Sequence, residues 1–466
     1  MKVRSLKIQS FRCIDDLTLN FHPHLTVFLG INGAGKSSVL DAFSEMISFY
    51  YSVLRKEKRF GNLTLMGHNK KSSDNIFIGG STHITHHYHE NKFIVSEGNI
   101  GNRRDEIYIN KRSKDSDIKS GESQSMLNIA IEAEHNLIEW TLRRDRKSGF
   151  LENENEVEDI QRFAVEFRRK IDESQGINIP LFVHYPASRI ITGDISNDFK
   201  DDYLESLQIL DDLVSQTSTD FARFFQWFRA IEDLENEERR DNPSYRNPQL
   251  EAVRRSIPEF LDGFTDLRVR RSPTHHMTIS KEGSELVINQ LSDGEKCLLA
   301  MVADLARRLS IANPGMEDPL KGEGIVLIDE LELHLHPQWQ RGIISKLLET
   351  FPNCQFIIST HSPQIISDVK PENIYVLKSV DNKITSTHPH SSFGRDSNQI
   401  LETIMGVSAR PEMIKNQLND LFRLIDEGKI EEAKVLKSKL SDEIGLDEPQ
   451  FSKANVLIRR QEILGR

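Results

Sequence analysis

The stretch from Leu291 to Pro337 limits the fold more than any other part of the chain. It reads LSDGEK, an apolar run, a loop, and then IVLIDE followed by LELHLHP. Ile325 to Ile328 is short and wholly apolar, as a parallel strand buried on both faces requires. It ends in two adjacent carboxylates, Asp329 and Glu330. Such a pair at a strand's carboxyl end suits one acid that holds Mg²⁺ and a second that prepares a water. Ser292 and Gly294 open a helix that runs from Glu295 onward, so a hydroxyl and free backbone N–H groups are expected to face an anion.

Apolar runs ending in Asp-Glu also arise by chance, and the second half of the argument lies near the N-terminus. Leu25 to Leu29 is an apolar strand, followed by GINGAGKS, Gly30 to Ser37, and by a helix carrying Val39, Leu40, Phe43, Met46 and Ile47. This is the strand–loop–helix context that a phosphate-binding loop requires. Gly30, Gly33 and Gly35 let backbone N–H groups curl around a β-phosphate, Lys36 reaches the β and γ oxygens, and Ser37 joins Asp329 as a metal ligand. The nucleotide-contacting set of this loop is Asn32, Gly33, Gly35, Lys36, Ser37 and Ser38, and the expected cofactors are ATP and Mg²⁺. Farther on, Gln355 to Ser359 is another apolar strand, and it leads into Thr360-His361-Ser362-Pro363.

The order P-loop, LSDGE, LIDE, STH resembles the ATP-binding-cassette ATPases, and within them the soluble branch that includes SMC, RecF and OLD-like proteins. That resemblance implies that Glu330 is the general base and that His361 contacts the γ-phosphate. It also implies that Ser292, Gly294 and Glu295 complete the site of the opposite subunit, so that a head-to-tail homodimer, or a higher assembly built on it, sandwiches two ATP molecules. His334 and His336 then belong to a dimer-facing loop. Phe11 and Arg12 correspond to a pair near the nucleotide, with plain hairpin packing an equal alternative. One departure stands out. After the strand Ile179–Val183 the chain reads His184-Tyr185-Pro186-Ala187-Ser188-Arg189, and the family's water-sensing glutamine is missing; Ser188 and Arg189 are the substitutes considered.

The expected fold class is α/β: an ATPase head with a P-loop mixed sheet and flanking helices, an inserted polar region and a C-terminal helical segment. The expected division is 1–50 (head with P-loop), 51–176 (insertion), 177–200 (return strand), 201–270 (helical insertion), 271–390 (signature, Asp-Glu strand and switch histidine) and 391–466 (helical partner-binding segment). Alternation in Val3–Gln9 and Leu17–Phe21 predicts a hairpin. The insertion carries short strands near Asn75–Ile78 and Lys92–Val95, a strand pair near Ala130–Leu142, and a helix over Glu156–Ile171. His83, His86, His87 and His89 cluster within it, without the cysteine or acidic scaffold that would fix a metal. Leu204, Leu207, Leu210 and Leu213, then Phe221, Phe224, Phe225 and Phe228, have helical spacing, and the loop around Asn313-Pro314-Gly315 and Pro319 is expected to be a surface excursion. No sustained heptad seam or zinc-hook CxxC accompanies them, which excludes a clamp on long arms.

At 466 residues the chain can bury a large core, and no run approaches the eighteen apolar residues of a membrane span. No signal peptide is evident. The cysteines Cys13, Cys297 and Cys354 lack CxxC spacing, which fits a reducing cytoplasm. The net charge of −11 does not exclude DNA, because exposed charges more than about 10 Å apart are largely screened. Local basic groups are Arg143, Arg144, Arg146 and Lys147, and Arg268, Arg270 and Arg271, each of which, taken singly, reads more simply as a solvated face.

The tail carries FGRDSNQILETIMG and then apolar residues at helical spacing: Ile414, Leu418, Leu421, Phe422 and Ile425, a turn at Gly428, and Ile430, Ala433, Leu436 and Leu440. It has no DxD after His361, unlike OLD-like nucleases, so an ATPase without its own nuclease is expected. In head, ELHLHP segment and tail the chain resembles the PtuA family, the ATPases of Septu anti-phage systems, which work with an HNH endonuclease of the PtuB type. That resemblance implies an ATPase that closes on ATP and controls a partner nuclease that cleaves DNA. The second reading is a RecF-like repair switch that grips DNA without cleaving it. A transporter ATPase fits the long separation of Lys36 from Ser292 poorly.

Overall fold

The computed structural model describes residues 1–56, 76–78, 82–89, 92–97, 117–134, 136–147, 149–151, 154–173, 178–187, 221–272, 274–381 and 383–464. They form two compact units, Met1–Gly394 and Arg395–Arg466. In chain order the strands begin with β1 (Lys2–Phe11), β2 (Ile14–Asn20), β3 (Leu25–Leu29), β4 (Ile76–Ile78), β5 (Thr82–His89) and β6 (Lys92–Glu97). They continue with β7 (Gln124–Ala133), β8 (Asn136–Asp145), β9 (Gly149–Leu151), β10 (Leu181–Tyr185), β11 (Phe264–Arg270), β12 (His276–Lys281) and β13 (Ser284–Val287). The last four are β14 (Gly324–Ile328), β15 (Cys354–Thr360), β16 (Ile374–Val380) and β17 (Lys383–Thr387).

The central sheet has the order β10-β14-β15-β3-β16-β17, parallel from β10 to β16 and closed by an antiparallel edge at β17. Every residue of β3, β10, β14 and β15 is buried. That burial explains why these strands read as largely apolar runs; the polar residues within them, Thr26, His184 and Gln355, are buried as well. The helix α1 (Lys36–Lys56) lies on this sheet: Leu40, Phe43, Met46 and Ile47 share a core with Phe182, Ile325, Leu327 and Ile357. The same core takes in Leu6, Ile8 and Ile129 from an antiparallel sheet of order β2-β1-β7-β8-β9. The α/β head expected from the motifs is therefore present, with α1 held between two sheets.

The polar region after α1 was expected as an insertion, but part of it is integral to the head. β7 pairs with β1, Leu6 beside Ile129 and Ile8 beside Leu127, and the helix α2 (Glu154–Glu173) adds Val157, Ile160, Ala164 and Phe167 to the common core. The sequence hid this because β7 and β8 alternate and bury mainly one face each. β4, β5 and β6 form a small sheet of their own; β5 carries the backbone of all four clustered histidines, whose side chains lie outside the described residues. Residues 201–220 also lie outside them. The rest of the predicted helical stretch contains α3 (Phe221–Asp241) and α4 (Pro248–Phe260), followed by the sheet β11-β12-β13.

The helix α5 (Asp293–Ala312) is buried on nearly every side. The loop that follows reaches the surface at Pro314 and Gly315, which are exposed, but it is anchored at both ends: Asn313, Pro319 and Leu320 are buried, and the Asn313 amide donates 2.8 Å to the Leu309 carbonyl. A helix with no polar face has to answer for its charges internally. Asp304, in its middle, accepts from Arg307 at 3.0 Å, from Arg308 at 2.7 Å and from the Tyr185 hydroxyl at 3.0 Å. Burial opposes the charge on Asp304, but Arg308 and Arg307 together hold its carboxyl below the ordinary range.

The second unit is helical. Helices Glu412–Asp426, Ile430–Ile444 and Pro449–Leu464 enclose Leu418, Leu421, Ile425, Ala433, Leu440, Phe451, Ala454 and Ile458, and the turn at Gly428 has a φ of 76°. In the FGRDSN stretch, Asp396 caps the helix Ser397–Thr403 by accepting from the Asn398 and Gln399 N–H groups at 2.9 and 3.1 Å.

Asp304→Asn removes the negative charge between two buried guanidiniums, and it is expected to cost about 3–5 kcal/mol, read from the midpoint of urea unfolding.

Candidate nucleotide site

The site forms where the parallel strands end. β3 delivers the chain into Gly30–Ser37, and Gly33 and Gly35 have φ values of 81° and 92°, which side chains resist. Gly30 has a different reason to lack a Cβ, since one would stand 2.6 Å from the Leu377 carbonyl oxygen on β16. Lys36 turns back across the loop and donates to the Gly30 and Ile31 carbonyls at 2.8 and 3.2 Å. Burial lowers its pKa, and Asp329, Glu330 and Glu332 pull the other way. Asn32 is exposed on the loop's rim, and the Ser38 hydroxyl lies 3.6 Å from the Cys13 thiol.

Ser37 donates 2.9 Å to Asp329 Oδ2, so a hydroxyl from α1 and a carboxylate from the end of β14 sit side by side. Two hard oxygens from opposed rigid elements are a donor set that fits Mg²⁺, which is completed by waters and phosphate oxygens. The other carboxylate oxygen of Asp329 accepts from the Ser359 hydroxyl on β15, and that same hydroxyl accepts the Glu330 N–H at 2.8 Å. Glu330 adopts a φ of 49°, a left-handed conformation uncommon outside glycine, which turns the chain sharply after Asp329. Glu332 supports the next strand end: its carboxylate accepts from the Thr360 hydroxyl at 2.6 Å and from the His361 N–H. Ser359 and Glu332 were not singled out from the sequence, although both lie within the LIDELEL and STH segments that were.

The N-terminus of α5 is closed by a capping box. Ser292 and Glu295 exchange hydrogen bonds, with the Glu295 carboxylate accepting from the Ser292 N–H and hydroxyl at 2.8 Å each. Lys281 also donates to Glu295 at 2.7 Å, and these partners hold the carboxyl of Glu295 below its usual range against the effect of burial. Glu295 therefore shapes the helix start, while Ser292 remains exposed. Gly294 packs against the loop that follows the Asp-Glu pair; a Cβ there would come within 2.3 Å of the His334 carbonyl oxygen. The signature helix and the ELHLHP loop thus touch within one subunit.

Arg12 lies outside this cluster of strand ends. It has a φ of 52°, its guanidinium stands 5.3 Å from the centre of the Phe11 ring, and it pairs with Asp41 of α1 and with Asp117 at 2.9 Å. Arg144 continues the chain of charges to Asp117 and Glu45, and burial of Glu45 raises its carboxyl to about 7 despite Arg144. The remaining arginines of the two basic groups are also engaged within the chain. Arg143 meets Glu156 at 2.9 Å, Arg146 donates to backbone carbonyls, Arg268 and Arg270 share Glu285, and Arg271 meets Asp233 and Glu232. Ser188 and Arg189 lie outside the described residues.

His184, on β10, was not among the site residues expected from the sequence. It is 8% exposed, and its Nε2 has no hydrogen-bond partner among the described residues. Burial lowers its pKa, and the charges of Asp41 and Asp329 raise it.

Residues 25–367 match the family described as "AAA domain, putative AbiEii toxin, Type IV TA system". The chain is 29% identical to the Retron Vc95 probable ATPase of Vibrio cholerae, over 91% of this chain and 82% of the relative. It is 26% identical to the Retron Ec83 probable ATPase of Escherichia coli, over 99% and 87%. Identity with the Septu protein PtuA of Bacillus thuringiensis is 29%, over 34% of this chain and 42% of the relative.

Gly294→Ala must displace a backbone carbonyl, so a loss of about 1–3 kcal/mol in unfolding free energy is expected, measured by denaturant titration.

Proposed function

The chain belongs to that AAA-domain family, and on that premise we propose that it is the ATP-hydrolysing subunit of an anti-phage defence complex. Two copies close head to tail on ATP and Mg²⁺, and closure regulates a partner endonuclease of the HNH type that cleaves DNA. The observation that carries the ATPase part is the pairing of Ser37 with Asp329 beside a glycine-turned phosphate loop, with Glu330 next in the chain. The kinship with retron ATPases along nearly the whole chain, and with PtuA along a third of it, supports the defence setting.

In this reading the N–H groups of Gly33 and Gly35 and the ammonium of Lys36 bind the β- and γ-phosphates, with Asn32 and Ser38 flanking them. Ser37 and Asp329 hold Mg²⁺, which supplies charge neutralisation at the phosphates. Glu330 takes the proton of the attacking water, and His361 bonds the γ-phosphate from the end of β15. Ser292 and Gly294 face the nucleotide of the second copy, presented by the cap that Glu295 maintains, and Arg12 borders the nucleotide from the β1–β2 turn. The helical unit Arg395–Arg466 is the surface offered to the nuclease partner.

The DNA-gripping repair switch has less support, because the arginines of both basic groups that would favour it are paired with acids or carbonyls of the same chain. Duplex binding by this protein alone, dependent on ATP and falling steeply with salt, would favour that reading instead.

Lys36→Ala is expected to weaken ATP binding, whereas Glu330→Gln should still bind ATP but hydrolyse it about 10²–10⁴-fold more slowly, as steady-state phosphate release would register. A Glu330→Gln protein with native turnover rules out the base assignment. Ser292→Arg should leave a folded subunit that no longer dimerises with ATP, as light scattering after gel filtration would register. Coexpression with neighbouring genes should bring down a small HNH protein; a bare ATP-dependent dimer in that experiment argues for the repair switch.

A further inference from the structure

The imidazole of His184 occupies a place that its own strand does not explain. β10 lies parallel to β14 with His184 beside Leu327 and Phe182 beside Ile325. Side chains alternate along a strand, so His184 shares a face with Phe182, and Asp329, two residues beyond Leu327, shares that face too. This is the α1 face: Phe182 stacks on Phe43 at 6.3 Å between ring centres and contacts Tyr51. The opposite face belongs to Tyr185, whose hydroxyl reaches Asp304 on α5. On α1, Ser37 and Asp41 are four residues apart and so lie one turn apart on one side of the helix.

Four polar side chains from three elements therefore meet where β10, β14 and α1 come together: Ser37, Asp41, Asp329 and His184. Ser37, Asp41 and Asp329 have partners. His184 Nε2 has none among the described residues, and a buried ring nitrogen left unpaired is destabilising. A carboxylate has about four lone-pair sites, so Asp41 and Asp329 retain capacity beyond the bonds they already make. A buried water needs two to four polar partners, and this junction offers them.

We propose that His184 is a positioning residue of the nucleotide site, whose Nε2 holds a water against the Ser37–Asp329 pair and so tunes how Mg²⁺-ATP is held. The inference rests on the ATP site proposed above. It assigns the role left open by the missing glutamine to a residue inside β10 rather than to the loop after it. Burial favours the neutral ring, which can accept a hydrogen bond from a water whose second hydrogen goes to a carboxylate.

The test uses the full chain, a fluorescent ATP analogue as the probe, and the variants His184→Gln and His184→Asn. Affinity is measured with Mg²⁺ and with EDTA, alongside ATP turnover and the unfolding temperature. Both amides keep a polar group in the strand, but only glutamine reaches about as far as Nε2. The expected result is that His184→Asn reduces the Mg²⁺-dependent gain in affinity by about tenfold and lowers turnover, leaves the EDTA affinity unchanged, and is largely rescued by His184→Gln. Equal gains in the native protein and in a folded His184→Asn overturn the inference, as do equal losses in both variants, which mark a packing role. If the native protein binds the probe in neither buffer, or Lys36→Ala binds it as well as the native protein does, the ATP site itself fails, and that outcome is distinct.

Discussion

The register of β14 on β15 sets the position of everything at the nucleotide site. Ile328 lies beside Ile358, so the next residues, Asp329 and Ser359, emerge together at the sheet's end. The Ser359 hydroxyl then binds the Asp329 carboxylate with its hydrogen and the Glu330 N–H with its oxygen. A slip of one residue would reverse the faces of every side chain on the strand and part this group. The polar group at the end of β14 opposes such a slip, because moving Asp329 inward would bury its carboxylate among the apolar residues of β14 and β15.

With the strands in place, the two ends of the motif series converge from opposite directions. The P-loop arrives from β3 and places Ser37 2.9 Å from Asp329, which is 292 positions away along the chain. From the other side, α5 meets the loop after Glu330 through Gly294 and meets β10 through Asp304 and Tyr185. The backbone of Tyr185 in turn accepts the Asp329 N–H at 2.9 Å. The helix α5, the Asp329 carboxylate and the strand bearing His184 are thus joined by short contacts within the unit Met1–Gly394.

Charge is handled differently in the interior and at the surface. Inside, the Asp304, Arg307 and Arg308 cluster keeps its ions by mutual pairing in a setting where an unpaired charge would be costly. At the surface, Arg268 and Arg270 pair with Glu285, which together hold that carboxyl down at about 2. These exposed pairs add little stability. Their consequence is functional: the basic residues that stand out in the sequence are matched by acids that folding brings across from neighbouring strands and helices.

The sequence by itself determined the head. Strand-forming apolar runs, glycines at tight turns and polar residues at strand ends are local requirements, and each leaves its mark within a few residues; the α/β class, the phosphate loop, the Asp-Glu pair and the C-terminal helices were legible for that reason. The tertiary structure decided what depends on neighbours distant in the chain. Half-buried strands such as β7 and β8 read as a polar insertion until they pair with β1. Ser359, Glu332 and His184 carry no local signature, since an ordinary serine, glutamate or histidine gains its role only from the groups that folding sets within hydrogen-bond reach. Whether an arginine is free for a partner is likewise decided in three dimensions, because it depends on the distance to a carboxylate that the linear order does not contain.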